Sequence, residues 1–370
     1  MNKKLLVVLW IGLILGWRMA AGAAGLTVRL DNPPPEGMVV FVLFNSANTF
    51  GDLRDPVKVV KHTLDGRDLY DIRDLPPGEY ALLVYYDKNN NDRIDRNFIG
   101  IPSEPIGFSN SYQPKGPPSF NRAAFMLKEG MTRHFDVKLA RPLGKLGRIG
   151  IGVGVIARSS PYRDYKGGVY QVIPAITYTG ARVQIYGPKV SVGLVGSGKL
   201  RMAATGSYRI GVYEENESVF LDGMGDRKST LMVGLALQAD LPGGVDISAS
   251  YEHDVLDRIG GGTARFEIGK SFQYRVFRFS PEISVNWLGS TLSNHDFGVP
   301  AGKALPDRPA YDPGNTVSAE GGLGTFVEIT KDWLVIMRTD VELLDDAVTD
   351  SPIVNDSYVI KGFGAITYVF

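Results

Sequence analysis

The sequence predicts an all-β protein: a transmembrane antiparallel β-barrel of about 12 strands, preceded by a periplasmic β-sandwich domain. Three observations predict it. From about Arg148 onward, apolar residues recur at every second position in segments of about ten residues. Tight turns and long polar stretches alternate between those segments. The chain also closes on an aromatic residue, Phe370, in the apolar register of its last segment.

The amino end reads as a signal peptide. Lys3 and Lys4 precede an apolar run from Leu5 to Leu15, and Ala21-Gly22-Ala23 has the small-residue pattern that signal peptidase accepts. The run is short of the roughly 20 residues a spanning helix needs, and Arg18 interrupts it. Residues 1–23 are therefore set outside the fold. No cysteine is present, which closes lipidation through a thiol, disulfides and thiolate metal sites. Removing Lys3, Lys4 and Arg18 leaves 37 basic residues of 40 against 40 acidic ones, a net charge of −3. Near-neutrality gives no reason to expect nucleic acid as a partner. No long apolar run follows the signal, which excludes helical spans; a barrel stays compatible, because alternation hides its spans from mean hydropathy.

Residues 25–140 show shorter strand segments, at 26–30, 37–44, 58–64, 69–75, 79–86, 123–128 and 132–140. Pro and Gly clusters such as "NPPPEG" and "LPPGEY" punctuate them. An antiparallel sandwich of immunoglobulin or transthyretin type is the expected fold. Residues 141–147 form the linker, and the barrel occupies 148–370. An even number of strands ending in the periplasm places the first domain there too.

Within the first domain, "DKNNNDRIDRNFIG" sets oxygen-bearing Asp87, Asn89, Asn91 and Asp95 at alternate positions, a candidate calcium turn. A calcium-binding EF-hand loop also wants glycine at its sixth position and a bidentate Glu at its twelfth. Here those positions hold Asp92 and Phe98, and the preceding "EYALLVYY" is a strand. The alternative is a solvated connection, since Asn and Asp bond their own backbone readily. Calcium is the one cofactor the sequence suggests.

Barrel strands are expected near 148–157, 169–178, 181–187, 189–195, 199–212, 230–241, 244–255, 262–274, 276–287, 315–329, 332–343 and 358–370. "TLMVGLALQADL" shows the pattern: Leu231, Val233, Leu235, Leu237 and Leu241 on one face, Thr230, Gln238 and Asp240 on the other. Most segments match the roughly 9–11 residues that cross a bilayer at a tilt and exceed the mode of about 5–6 in soluble domains. Turns such as "PGG" and "TKD" lie on one side; 158–168, 213–229, 256–261, 288–314 and 344–357 lie on the other. Outer-membrane barrels segregate their connections in this way.

The polar register is expected to face the lumen: Arg201, Arg209, Asp240, Asp246, Glu252, Arg265, Glu267, Arg278, Glu282, Glu320, Arg338, Asp340, Glu342 and Lys361. Mixed signs can pair into a plug; charges segregated by sign would favour selective passage. Tyr178, Phe272, Tyr274, Phe277, Trp333 and Tyr368 suit an interfacial belt. Lys270 falls on the apolar register, where it must snorkel or mark a bulge. In the last strand, Ile366, Tyr368 and Phe370 resemble the carboxy-terminal signal read by barrel-assembly machinery. The pairs His253-Asp254 and His295-Asp296 lie near predicted extracellular edges, but His253 and Asp254 as neighbours on a strand point apart, and no serine motif accompanies either pair. Enzyme activity is not expected.

"PYRDYKGGVYQVIPAITY" (161–178), "LDGMGDRKSTLMVGLAL" (221–237), "DSPIV" (350–354) and "FGAITYVF" together resemble the MltA-interacting protein family, also called MipA/OmpV. The resemblance implies an outer-membrane protein of a Gram-negative bacterium, linked in some members to a scaffold for murein enzymes and in others to adhesion. Residues 26–139 resemble an uncharacterised family of exported bacterial domains. The expected function is a membrane anchor that presents a periplasmic domain to envelope machinery. Its expected partners are outer-membrane lipid, the assembly machinery and murein enzymes; a narrow solute channel and a surface adhesin are the alternatives.

Overall fold

The computed structural model describes residues 24–165, 168–197 and 199–370. The expected signal peptide lies outside the described residues. The chain forms two compact units. The first takes the described residues up to Arg93 with Ile106–Gln113 and Phe120–Ala140; the second takes Ile94–Pro105, Pro114–Ser119 and Arg141–Phe370.

Eight strands build the first unit: β1 (Ala24–Leu30), β2 (Met38–Phe44), β3 (Lys58–Thr63), β4 (Leu69–Leu75), β5 (Gly78–Asp87), β6 (Ile106–Phe108), β7 (Ala124–Leu127) and β8 (Thr132–Val137). One sheet runs β4-β1-β8, the other β3-β2-β5-β6 with β7 also on β5. Leu26, Val28 and Ile72 of the first sheet meet Phe41, Leu82 and Val84 of the second in one core. The second sheet is buried on its far face as well, where Phe44 packs on Phe50 and Phe50 on Phe108 and Phe120. That explains why "MVVFVLF" is apolar throughout rather than alternating. The sandwich differs from the expected fully antiparallel one in a single ladder: β1 pairs β8 in parallel. A parallel pair needs a long crossover, and the chain between these strands traverses the other sheet before returning.

The second unit is built from β9 (Arg148–Ser159), β10 (Gly168–Thr179), β11 (Val183–Tyr186), β12 (Lys189–Ser197), β13 (Leu200–Arg209), β14 (Thr230–Leu241), β15 (Val245–Asp254), β16 (Gly262–Lys270), β17 (Phe272–Tyr274), β18 (Phe277–Leu288), β19 (Thr316–Glu328), β20 (Trp333–Leu343) and β21 (Tyr358–Val369). Neighbours in sequence pair antiparallel, except that β16 and β17 both pair with β18, and β21 returns to β9. β16 and β17 share one register on β18, since Gly269 faces Glu282 and Phe272 faces Phe279. They are one strand interrupted at Ser271, so the cylinder is closed and has 12 staves. Lys270 therefore marks no bulge; its ammonium lies over the Phe272 ring, 5.3 Å from the centroid.

Among the described residues the ladders run from strand to strand around the cylinder, as a wall in hydrocarbon requires, and are shortest between β10 and β11, where only Thr177–Thr179 of β10 pair with β11. The outward register is apolar and uncovered: Val172 is 71% exposed, Ile283 66% and Val153 56%, with Leu235 and Leu237 alike. An apolar surface of that extent fits acyl chains rather than water. At the turn end of this unit, Lys115 ion-pairs with Asp332 at 2.7 Å. A Cβ on Gly193 would lie 2.4 Å from the Phe98 ring, so that close approach requires glycine.

Candidate functional site

Inside the cylinder, the inward register carries charge that pairs across strands. Arg265 of β16 donates to Glu320 of β19 at 2.8 Å, with β18 between them, so the two meet only through the enclosed side. Arg265 also binds Glu267 at 2.9 Å, Glu282 at 3.3 Å and Asn286 at 2.9 Å. Arg338 pairs with Glu282 and, at 2.8 Å, with Asp340. Lys361 of β21 reaches Glu320 and Glu342, each at 2.7 Å, and Ser318 donates to Glu342 at 2.6 Å. Eight of the expected lumen residues thus form one connected network on β16 and β18 to β21. Elsewhere Arg201 pairs with Asp240 at 2.5 Å, and Ser207 donates to Glu252 at 2.6 Å. Asp246 lies opposite Asp240, and Arg278 opposite Gln273.

The loop end carries a core of its own, which sequence periodicity did not indicate. Tyr162, Tyr213, Leu221, Phe297, Val348 and Ile353, from four different connections, are buried against one another. The helix Ser290–Phe297 within the connection 288–314 buries Leu292 and Phe297. Arg308, 3% exposed, donates to the carbonyls of Phe220, Asp222 and Lys303, tying two connections together. Asp296 is buried beside Arg209 of β13, which ion-pairs with it, and His295, which approaches its other oxygen at 2.9 Å. Burial pushes the Asp296 carboxyl up, but Arg209 and His295 more than offset this and hold it below the usual carboxylate range. Burial drives the Tyr162 hydroxyl well above its ordinary value; it donates to the Asp296 carbonyl at 3.1 Å.

Between network and cap lies a cavity of about 220 Å³, lined by Arg158, Arg209, Arg265, Lys361, Asp296 and Glu342 among others. His253 and Asp254 diverge: the histidine is exposed beside the Tyr251 hydroxyl at 3.2 Å, while Asp254 is buried and accepts from the amides of Leu256, Ile259 and Gly260.

In the turn 87–95, the Asp87 carboxylate is fully buried and accepts from the amides of Asn91 at 3.1 Å and Asp92 at 2.8 Å. Asn89 accepts from Asn91 and Asn91 from Arg93, so these oxygens serve the backbone of the turn. Asp95 belongs to the other unit, where its amide donates to Glu104 at 3.1 Å. Among the described residues, no group of three or more His, Cys, Asp or Glu could hold a metal ion.

Residues 151–370, nearly the whole cylinder, match the family described as MltA-interacting protein MipA. The chain belongs to this family. Residues 31–134 match a second one, an uncharacterized protein conserved in bacteria (DUF2141). The MltA-interacting protein of Escherichia coli K12 is 27% identical over 235 residues, covering 60% of this chain and 91% of that protein. The outer membrane protein Omp26La of Vibrio anguillarum is 26% identical over 155 residues, covering 41% of this chain and 60% of that one. Among solved structures, the NanC porin aligns with a TM-score of 0.32 at 9% identity, over 59% of this chain and 98% of that one. This MipA-family chain is an outer-membrane β-barrel protein with an additional N-terminal two-sheet domain.

Proposed function

We propose that this MipA-family chain is an outer-membrane anchor that presents its N-terminal sandwich in the periplasm and scaffolds murein-remodelling machinery. One observation carries the reading: the lumen is crossed by mutually paired charges, and its loop end is covered by a packed apolar core. A cylinder so filled is suited to holding something in place rather than passing solutes. The relatives named MltA-interacting proteins support a murein enzyme as the class of partner.

The test is crosslinking in intact envelopes of cells expressing the chain, followed by purification. Recovery of a murein hydrolase or synthase is expected, and its loss when residues 25–140 are deleted would assign the contact to that segment. Recovery of the chain with no periplasmic protein attached would overturn the proposal.

The cavity favours a second reading, a narrow channel for small solutes. Stepwise conductance in planar bilayers would support it, and a silent bilayer would dismiss it.

A further inference from the structure

The side chains that line the cavity below the cap include one more cation than carboxylates. Four cations line it, Arg158, Arg209, Arg265 and Lys361, against three carboxylates, Asp296, Glu342 and Asp345. Each carboxylate is already engaged. Asp296 has Arg209 and His295, and Glu342 has Lys361 and Ser318. Asp345 accepts from the amides of Val317 at 2.7 Å and Ala347 at 2.9 Å. Three of the cations are paired as well, which leaves Arg158. Among the described residues it makes no side-chain hydrogen bond or ion pair, and its Nε is buried without a partner.

Its position sharpens the point. In the β9–β21 ladder Arg158 stands directly opposite Lys361, so the two side chains share the inward face. Like charges directly opposite one another are destabilising, and a guanidinium is always charged. The cavity, at 220 Å³, far exceeds the roughly 10–15 Å³ that one water needs.

We propose that this cavity is a binding site for a small oxyanion, a carboxylate or phosphate group, held by Arg158 and Lys361. The planar fork of Arg158 donates two parallel N–H groups to such an anion, and Lys361 adds a point charge from the facing strand. The anion supplies the partner that Arg158 lacks. The site is independent of the scaffold reading, since it concerns the lumen alone.

The probe is inorganic phosphate, titrated calorimetrically into the full chain folded in detergent, with chloride at matched ionic strength as the reference. Saturable phosphate binding is expected, with a rise in unfolding midpoint that follows ligand concentration as linkage requires. Arg158→Gln should weaken it at least tenfold. Arg201→Gln, whose arginine pairs with Asp240 outside the cavity lining, should leave it unchanged. Should the Arg158 variant fail to fold, the unaltered chain serves: phosphate should slow phenylglyoxal modification of Arg158, mapped by mass spectrometry, and not that of Arg201. Phosphate indistinguishable from chloride, full binding by the Arg158 variant, or no protection of Arg158 would each overturn the proposal.

Discussion

Arg209, in the cylinder wall, and Asp296, on the helix folded across its loop end, form an ion pair with Asp296 only 2% exposed. The pair fastens the cap to the wall. Losing Arg209 leaves the buried Asp296 with only His295 beside its carboxylate, a change that costs up to about 3–5 kcal/mol in comparable settings. Arg209→Met should therefore free the 288–314 connection, read as new protease cleavage there in intact cells. Protection equal to that of the parent chain would show that the apolar contacts of Phe297 hold the cap unaided.

The same pair sets a pH dependence. The Asp296 carboxyl titrates lower in the folded chain than its ordinary value of about 3.9. Its contribution is therefore complete above about pH 4 and is lost as pH falls through the depressed folded value. The loss of cap protection that comes from Asp296 should appear only in strong acid. In an Asp296→Asn variant the acid step should vanish.

Glu320 stands between Arg265 at 2.8 Å and Lys361 at 2.7 Å and is 5% exposed. Glu320→Ala leaves two cations facing each other across its strand, and a loss of about 3 kcal/mol is expected. Adding Lys361→Ala should recover part of it, because the repulsion goes with the second charge. Unfolding midpoints of the three variants in one detergent would measure the coupling, and strict additivity would refute it.

The alternation that made β14 legible is purely local: strand side chains repeat every two residues, so Leu231 to Leu241 declare a face whatever surrounds them. The same rule gives the inward register, but not who meets whom inside. Arg265 and Glu320 are 55 residues and one intervening strand apart, a relation no period encodes. Arg158 was missed for a smaller reason. The apolar pattern of the first strand fades at Ala157, whereas β9 continues to Ser159 and carries Arg158 into the cavity. The helix Ser290–Phe297 gave no signal, because its buried Leu292 and Phe297 do not recur at helical spacing. It is held by its neighbours rather than by its own propensity.

Leu235 is 51% exposed near the middle of β14, on the outward register. Leu235→Arg should cost about 2–4 kcal/mol if that position meets the bilayer midplane. Leu241→Arg, at the strand end, should cost at most about 1 kcal/mol, because the guanidinium reaches the headgroups. Equilibrium refolding into vesicles would compare the two. Equal penalties would contradict the depth assigned to them.

The Asp87 carboxylate caps its own turn by accepting the amides of Asn91 and Asp92. Asp87→Ala leaves those donors unmet beside a buried site and should cost about 1–3 kcal/mol. If the turn serves the backbone alone, the loss is the same with calcium or with a chelator. A penalty that appears only in calcium would instead make Asp87 a metal ligand.

Phe370 is 65% exposed, and its ring lies 5.0 Å from that of Tyr368, which in turn packs edge-on against Trp333 at 5.4 Å. An exposed ring adds little to the folded cylinder, yet it sits on the outward register with Ile366 and Tyr368, where an assembly factor would meet it. Phe370→Ala should therefore leave the unfolding midpoint of chain refolded in vitro unchanged within about 0.5 kcal/mol, the usual range for surface substitutions. In cells, the amount of folded protein in the outer membrane should fall several-fold and unfolded chain should collect in the periplasm. Loss of stability and of yield together would make Phe370 a packing residue; loss of yield alone would make it a signal.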